Sequence, residues 1–131
     1  MTTKRFAILE HTTDPGVHHD LLIEDPAQPD ATHDDDPALW TCRIDPPPNQ
    51  WAALGTLTLT PLPPHRRRYL TYQGPVAGGR GSVRRVADGA AELTHWTDTE
   101  KTITLTIAGQ PLTLSLCPTP DGQLTAKVAL P

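Results

Sequence analysis

The stretch "KTITLTIAGQPLTLSLC", Lys101–Cys117, decides the reading of the fold. Ile103, Leu105 and Ile107 alternate with Thr102, Thr104 and Thr106; Leu112, Leu114 and Leu116 alternate with Thr113 and Ser115. Successive side chains of a strand point to opposite faces, so each run predicts a strand with one buried and one wet face. The short Ala-Gly-Gln-Pro connection between them predicts a hairpin.

The same alternation recurs outward from this stretch. "GTLTLT" at 55–60 repeats it, and further strands are predicted at 5–11, 19–24, 39–44, 68–73, 81–87, 91–97 and 123–130. "ADGA" at 87–90 predicts a tight turn between two of them. No segment carries a sustained helical stripe; "NQWAAL" at 49–54, after Pro46–Pro48, predicts at most a short turn. The 131 residues suit one domain, 1–131, and the 15 prolines suit many short connections. The expected fold is all-β: a single compact β-barrel of about eight short antiparallel strands with little helix.

Charge and cysteine content narrow the function. A net charge of −4 excludes a protein that coats nucleic acid indiscriminately, so any phosphate binding must be local. Cys42 and Cys117 stand alone, without zinc spacing, and are expected as buried thiols of a reducing compartment rather than a disulfide. No signal-peptide pattern or bilayer-length apolar run is present, which predicts a cytoplasmic protein that does not engage membranes. "DPAQPDATHDDDP" at 25–37 is acidic and proline-rich, and is expected to be exposed and mobile. "GPVAGGRGS" at 74–82 lacks the GK[ST] ending of a phosphate-cradling loop and precedes a strand.

"HTTDPGVHHDLLIED", His11–Asp25, concentrates the chemistry. On a strand, His18 and Asp20 share a face with Leu22 and Glu24, while His19, Leu21 and Ile23 face the core. His11 joins His18 and Asp20 if "TTDPGV" is a tight reversal. Two imidazoles and a carboxylate suit manganese, iron or zinc better than magnesium or calcium. The same residues also suit a solvated polar turn, and spacing alone leaves both readings open.

Several motifs in order resemble a known family. "EHTTDPGVHHDLLIE" (10–24) is similar to the "KH…HYDLRLE" signature of the 3′-phosphoesterase domain of bacterial DNA ligase D. "LWTCRID" (39–45), "HRRRYLTYQGPVAGGRGSVRRVADGAAEL" (65–93) and "TITLTIAGQPLTLSL" (102–116) resemble its later motifs, so the likeness spans Phe6 to Leu116. It implies a compact β-barrel that removes a 3′-terminal ribonucleoside or 3′-phosphate from DNA or RNA 3′ ends during repair. The implied partners are those ends and a repair ligase or polymerase, and the protein is expected as a monomer. By the same resemblance His11, His18 and Asp20 hold a divalent metal, most often Mn2+. His65 contacts the scissile phosphate, Tyr69 accompanies it, and Glu24 matches the signature's last glutamate.

The chain departs from the family at its cations. Signature basic residues fall on Leu22, Ile44 and Leu57, the His11–His18 spacing is one residue longer, and "YGAG" is shortened to "GRG". Arg43, Arg67 and Arg80 are the expected phosphate-binding replacements, because strand alternation would place Arg67 with His65 and turn Arg66 and Arg68 away. On this view Leu22→Arg should raise activity and leave metal binding alone. Two other readings stand beside the enzyme: a relic of the fold that only binds metal, nucleic acid or protein, and a small non-haem iron oxygenase using His18, Asp20 and a distal His65 or His95.

Overall fold

The alternating segments pair into nine antiparallel strands, seen in a computed structural model that describes residues 2–131. They are β1 (Thr2–Thr13), β2 (Gly16–Glu24), β3 (Leu39–Ile44), β4 (Thr56–His65), β5 (Gly74–Pro75), β6 (Ser82–Trp96), β7 (Lys101–Ile107), β8 (Gln110–Pro118) and β9 (Leu124–Ala129). Their order is β1-β2-β3-β4-β9-β8-β7-β6, and β6 pairs back onto β1 to close an eight-strand barrel, with the two-residue β5 added to β6. Closure leaves no free sheet edge on the barrel strands to recruit other chains.

The inward face of the alternation fills the barrel. Phe6, Ile8, Leu21, Ile23, Ile103 and Leu114 are buried there with Trp51, which enters from the short helix α1 (Trp51–Leu54). The Trp51 indole N–H donates to the Pro46 carbonyl at 2.9 Å, so burial leaves its polar atom satisfied. The prolines of "PLPPH" are tolerated in β4 because residues 60–65 pair only with β3, while β9 pairs with residues 56–59.

A second, smaller core lies outside the barrel. Ala7, Leu9, Leu22, Leu39, Leu70 and Val83 cluster on the outer face of the sheet, with Tyr69, Tyr72 and Val76 packed against them. This face was expected to be polar, yet Leu22 is fully buried. The lid is the segment after β4. It was predicted as a strand at 68–73 and is instead a 3-10 turn over Arg67–Leu70. The acidic loop supplies the reason: Asp36 and Asp34 carbonyls accept from the Arg67 and Arg68 amides, and Tyr69 N–H then donates to Arg66. Local turns thus use the backbone groups that a ladder would need.

Three other expectations change. "ADGA" does not turn; it lies inside β6, with Asp88 opposite Ala7 and Gly89 opposite Phe6. Gly89 sits at φ 151, and a methyl there would reach 3.5 Å from the Phe6 ring. That contact is an ordinary one; the backbone angle is what favours glycine here, inside a strand rather than at a reversal. The strands are also not all short: β6 has 15 residues because its first half pairs with β1 and its second with β7 as well. Both cysteines are free, but Cys117 is exposed; only Cys42 is buried, where desolvation and then the charge of Asp20 push its thiol up well above its usual range.

The 25–37 loop is largely exposed, as its composition requires, and is built from successive turns such as Gln28 N–H to Asp25 and Asp36 N–H to His33. Among the described residues no helix is long and apolar enough to cross a membrane. Trp51→Ala should cost about 3–5 kcal/mol of unfolding free energy, read from urea denaturation, because it empties the largest buried side chain of the barrel. A loss under about 1 kcal/mol would mean that the indole does not hold the core together.

Candidate functional site

The site begins with the reversal between β1 and β2. Thr13 pairs with Gly16, so only Asp14 and Pro15 lie in the turn. That register sets His11 directly opposite His18 and Leu9 opposite Asp20, all four on the outer face. The two imidazole rings meet edge-on at 4.8 Å between centroids. Asp20 Oδ2 lies 3.6 Å from His11 Nδ1, and Asp20 Oδ1 lies 3.2 Å from His18 Nε2. One ligand atom from each of the three residues falls within 4.8 Å of the others, a group that could hold a metal ion.

Two features fit a cation better than a merely polar surface. Asp20 is 2% exposed, and its Oδ1 has no partner of hydrogen-bonding geometry despite the nearby imidazole. A buried carboxylate oxygen without a donor is costly, and a cation removes that cost. The Arg80 carbonyl, 2.6 Å from His11 Nε2, can only accept. It therefore fixes the hydrogen on Nε2 and leaves the Nδ1 lone pair facing Asp20, as an outer hydrogen bond does for a metal-bound imidazole. Burial, above all, lowers the pKa of His18 from its usual 6.5; Arg43 and His11 push the same way while Asp20 opposes them. The shift favours the neutral ring, the form that binds metal.

Gly81 makes this hydrogen bond possible. It adopts φ +82, and a Cβ there would come within 1.9 Å of the Thr12 carbonyl oxygen. The close approach of the 80–81 backbone to β1 is what presents the Arg80 carbonyl to His11.

A cavity of about 420 Å3 opens beside the triad. His11 and Asp20 line it together with His65, Arg66, Tyr69 and Arg80, and Pro63, Pro64, Val76 and Val83 supply apolar wall. His65 and Tyr69 stand edge-on at 5.9 Å, and His65 Nδ1 donates to the Pro63 carbonyl at 3.0 Å, which leaves Nε2 free. The structure therefore brings together His11, Asp20, His65, Tyr69 and Arg80 around one cavity, with His18 against Asp20.

The remaining expected residues lie elsewhere. Arg67 does not face the cavity; its Nη2 donates to Glu24 at 3.0 Å, and Glu24 also accepts from the Arg5 amide at 2.7 Å. Glu24 is thus a clamp between β1, β2 and the 3-10 turn. Arg68 is paired with Asp35. Arg43 sits on the outer face opposite Asp20, but its guanidinium is bound to Asp45 at 2.7 Å. Arg66, expected to point away, lines the cavity: it is the extended residue between β4 and the 3-10 turn, and the predicted strand over 68–73 that would have set its face does not form. Neither an ion pair nor a side-chain hydrogen bond engages Arg66 among the described residues. Leu22, Ile44 and Leu57 are all buried in apolar clusters, and none could be exchanged for a cation without burying a charge. Leu22→Arg is therefore expected to destabilise the fold. His95 lies exposed at the far end of β6, outside the triad.

No protein-family model matches the chain, and no curated protein matches it.

Gly81→Ala should weaken manganese or zinc binding and cost at least about 2 kcal/mol of stability, since it combines backbone strain with a backbone clash; unchanged values of both would remove the role of the Arg80 carbonyl. Lowering the pH should destabilise the metal-free protein. With the folded pKa of His18 below the unfolded ~6.5, the unfolded chain binds more protons, so stability is lost as the pH falls through that value. His18→Gln should flatten this dependence in urea titrations from about pH 7.5 to about 5.5.

Proposed function

We propose that this protein is a metal-dependent phosphoesterase acting on DNA or RNA 3′ ends, with Mn2+ held by His11, His18 and Asp20. The resemblance to the ligase D 3′-phosphoesterase domain motivates the reading. One observation carries it: His11 and Asp20 share their cavity with two guanidinium groups free of carboxylates, Arg66 and Arg80, while the nearby Arg43, Arg67 and Arg68 are paired. Arg80 spends only its Nε, on the Ala77 carbonyl at 2.7 Å.

Phosphoryl transfer demands charge neutralisation on the equatorial oxygens more than covalent help from the protein. When bound, a divalent ion supplies Lewis-acid polarisation of a phosphoryl oxygen and favours ionisation of a bound water. Arg66 and Arg80 neutralise the remaining phosphate oxygens by charge-assisted hydrogen bonds. His65 meets the phosphate through Nε2, its Nδ1 hydrogen being held by Pro63. In its doubly protonated form the ring gives its Nε2 proton to the departing oxygen and is left neutral with its hydrogen on Nδ1. Tyr69 packs against the ring and keeps it aimed at the cavity. Two cations here replace those that the family carries at the positions of Leu22, Ile44 and Leu57.

The donor set alone equally suits non-haem iron. An oxygenase site, however, gains nothing from two free guanidinium groups beside its ligands, and these favour an anionic substrate. Metal content after growth with manganese and iron separates the two.

With Mn2+ present, the wild type should release phosphate from a primer ending in a 3′-phosphate, or a nucleoside from one ending in a 3′-ribonucleotide. Asp20→Asn should abolish metal binding and activity together. His65→Ala should lower kcat about 100-fold with the metal retained. Arg66→Ala should cost about 10- to 100-fold, while Arg67→Ala stays within about twofold. A wild type inert on both primers with Mn2+ bound contradicts the enzyme reading and leaves a binding module in its place.

A further inference from the structure

The cavity beside the triad is larger and more apolar than a phosphate requires. Its volume is about 420 Å3. A phosphate fills about the space of two or three waters of ~30 Å3 each, so most of the cavity is left over. Leu9 and Val83 supply apolar surface from the sheet, and Pro63, Pro64, Val76 and Ala77 from two separate connections. Pro63, Pro64 and Ala77 are exposed. Both connections also carry the groups that meet an anion. Pro64 precedes His65 and Arg66, and the Ala77 carbonyl accepts from Arg80 Nε at 2.7 Å. The apolar surface is thus continuous with the phosphate-binding groups.

The polar side chains of the lining are His11, Asp20, His65, Arg66, Tyr69 and Arg80. In a phosphoesterase all of these but Tyr69 engage the metal or the phosphate. Among the described residues no asparagine, glutamine, serine or threonine lines the cavity. The side chains that read base edges, beyond arginines already holding phosphate, are therefore missing, while apolar surface for the faces of a sugar and a base is present. A base held in such a cavity has left its stack and its pairing partner. That step costs least for an end that is already unpaired.

We propose that the apolar part of this cavity takes the 3′-terminal nucleoside, unpaired and whatever its base, so that the substrate is a single-stranded or frayed 3′ end rather than a blunt duplex. The inference rests on the phosphoesterase reading and narrows its substrate class. Burial of the sugar and base adds affinity to that of the phosphate contacts. Bases are treated alike because no free side chain reads their edges. A blunt end binds more weakly because its last pair must open first.

The probes are methylphosphonate and the 3′-methylene phosphonates of adenosine and uridine, which resist hydrolysis. They are titrated calorimetrically into the full-length protein with Mn2+ at one salt concentration. The two nucleoside phosphonates should bind alike, and at least about tenfold tighter than methylphosphonate. A short primer ending in the same phosphonate should bind at least about tenfold tighter as a single strand than in a blunt duplex. Ala77→Gln changes an exposed residue of the lining, so it should fold. It should weaken the nucleoside phosphonates about fivefold and leave methylphosphonate unchanged. Methylphosphonate binding as tightly as the nucleosides, a strong preference for one base, or blunt duplex binding as well as single strand would each overturn the proposal. None of these results touches the phosphoesterase reading, which stands or falls on release of product from the natural primers. A protein that shows the binding preferences yet leaves those primers intact keeps the nucleoside site and loses the enzyme.

Discussion

Everything at the candidate site depends on the register of the β1–β2 hairpin. With two residues in the turn, His11 stands opposite His18, and Asp20 falls beside them on the same face. A slip of one residue on either strand would turn that strand's side chains over. His18 and Asp20 would enter the barrel, and His19 and Leu21 would come out. The slip is prevented by the apolar alternation itself: Phe6, Ile8, Leu21 and Ile23 are fully committed to the barrel core, and Ala7, Leu9 and Leu22 to the outer cluster. Because both faces of the hairpin are buried, either core alone would specify the register. The polar residues are carried to one place by hydrophobic packing that has nothing to do with metal.

The outer cluster also decides where arginines can stand around the cavity. Its residues occupy the sheet surface where a strand-borne arginine would otherwise lie, as at Leu22. The arginines that do line the cavity come from connections: Arg66 from the extended residue before the 3-10 turn, and Arg80 from the segment before β6. Glu24 takes Arg67 and Asp35 takes Arg68, which leaves Arg66 for the cavity. The acidic loop before β3 thus has a structural task. It binds the backbone and one guanidinium of the turn and sorts which arginine stays free.

Much of this was legible in the residues and some was not. Period-two alternation exposes strands 39–44 and 101–107 to the residue, because nothing competes with the pleat there. The triad was legible because cross-strand neighbours follow from turn length and parity alone. "RYLTYQ" misled, since its pattern suits a strand while its hydrogen bonds go to a loop thirty-odd residues earlier, which no local pattern records. "ADGA" misled because Asp-Gly normally marks a turn; here the glycine's positive φ is used inside a long strand that pairs with β1. The face of Arg66 was assigned wrongly as a direct consequence of the strand reading.

The central claim, that packing delivers His11 Nδ1, His18 Nε2 and Asp20 to one divalent ion, is tested most directly by anomalous diffraction from crystals grown with manganese. The account predicts one strong peak on the outer face of the β1–β2 hairpin, about 2.1 Å from His11 Nδ1, from His18 Nε2 and from an Asp20 oxygen. Manganese bound elsewhere, or coordinated through His11 Nε2 with the Arg80 carbonyl released, would contradict it.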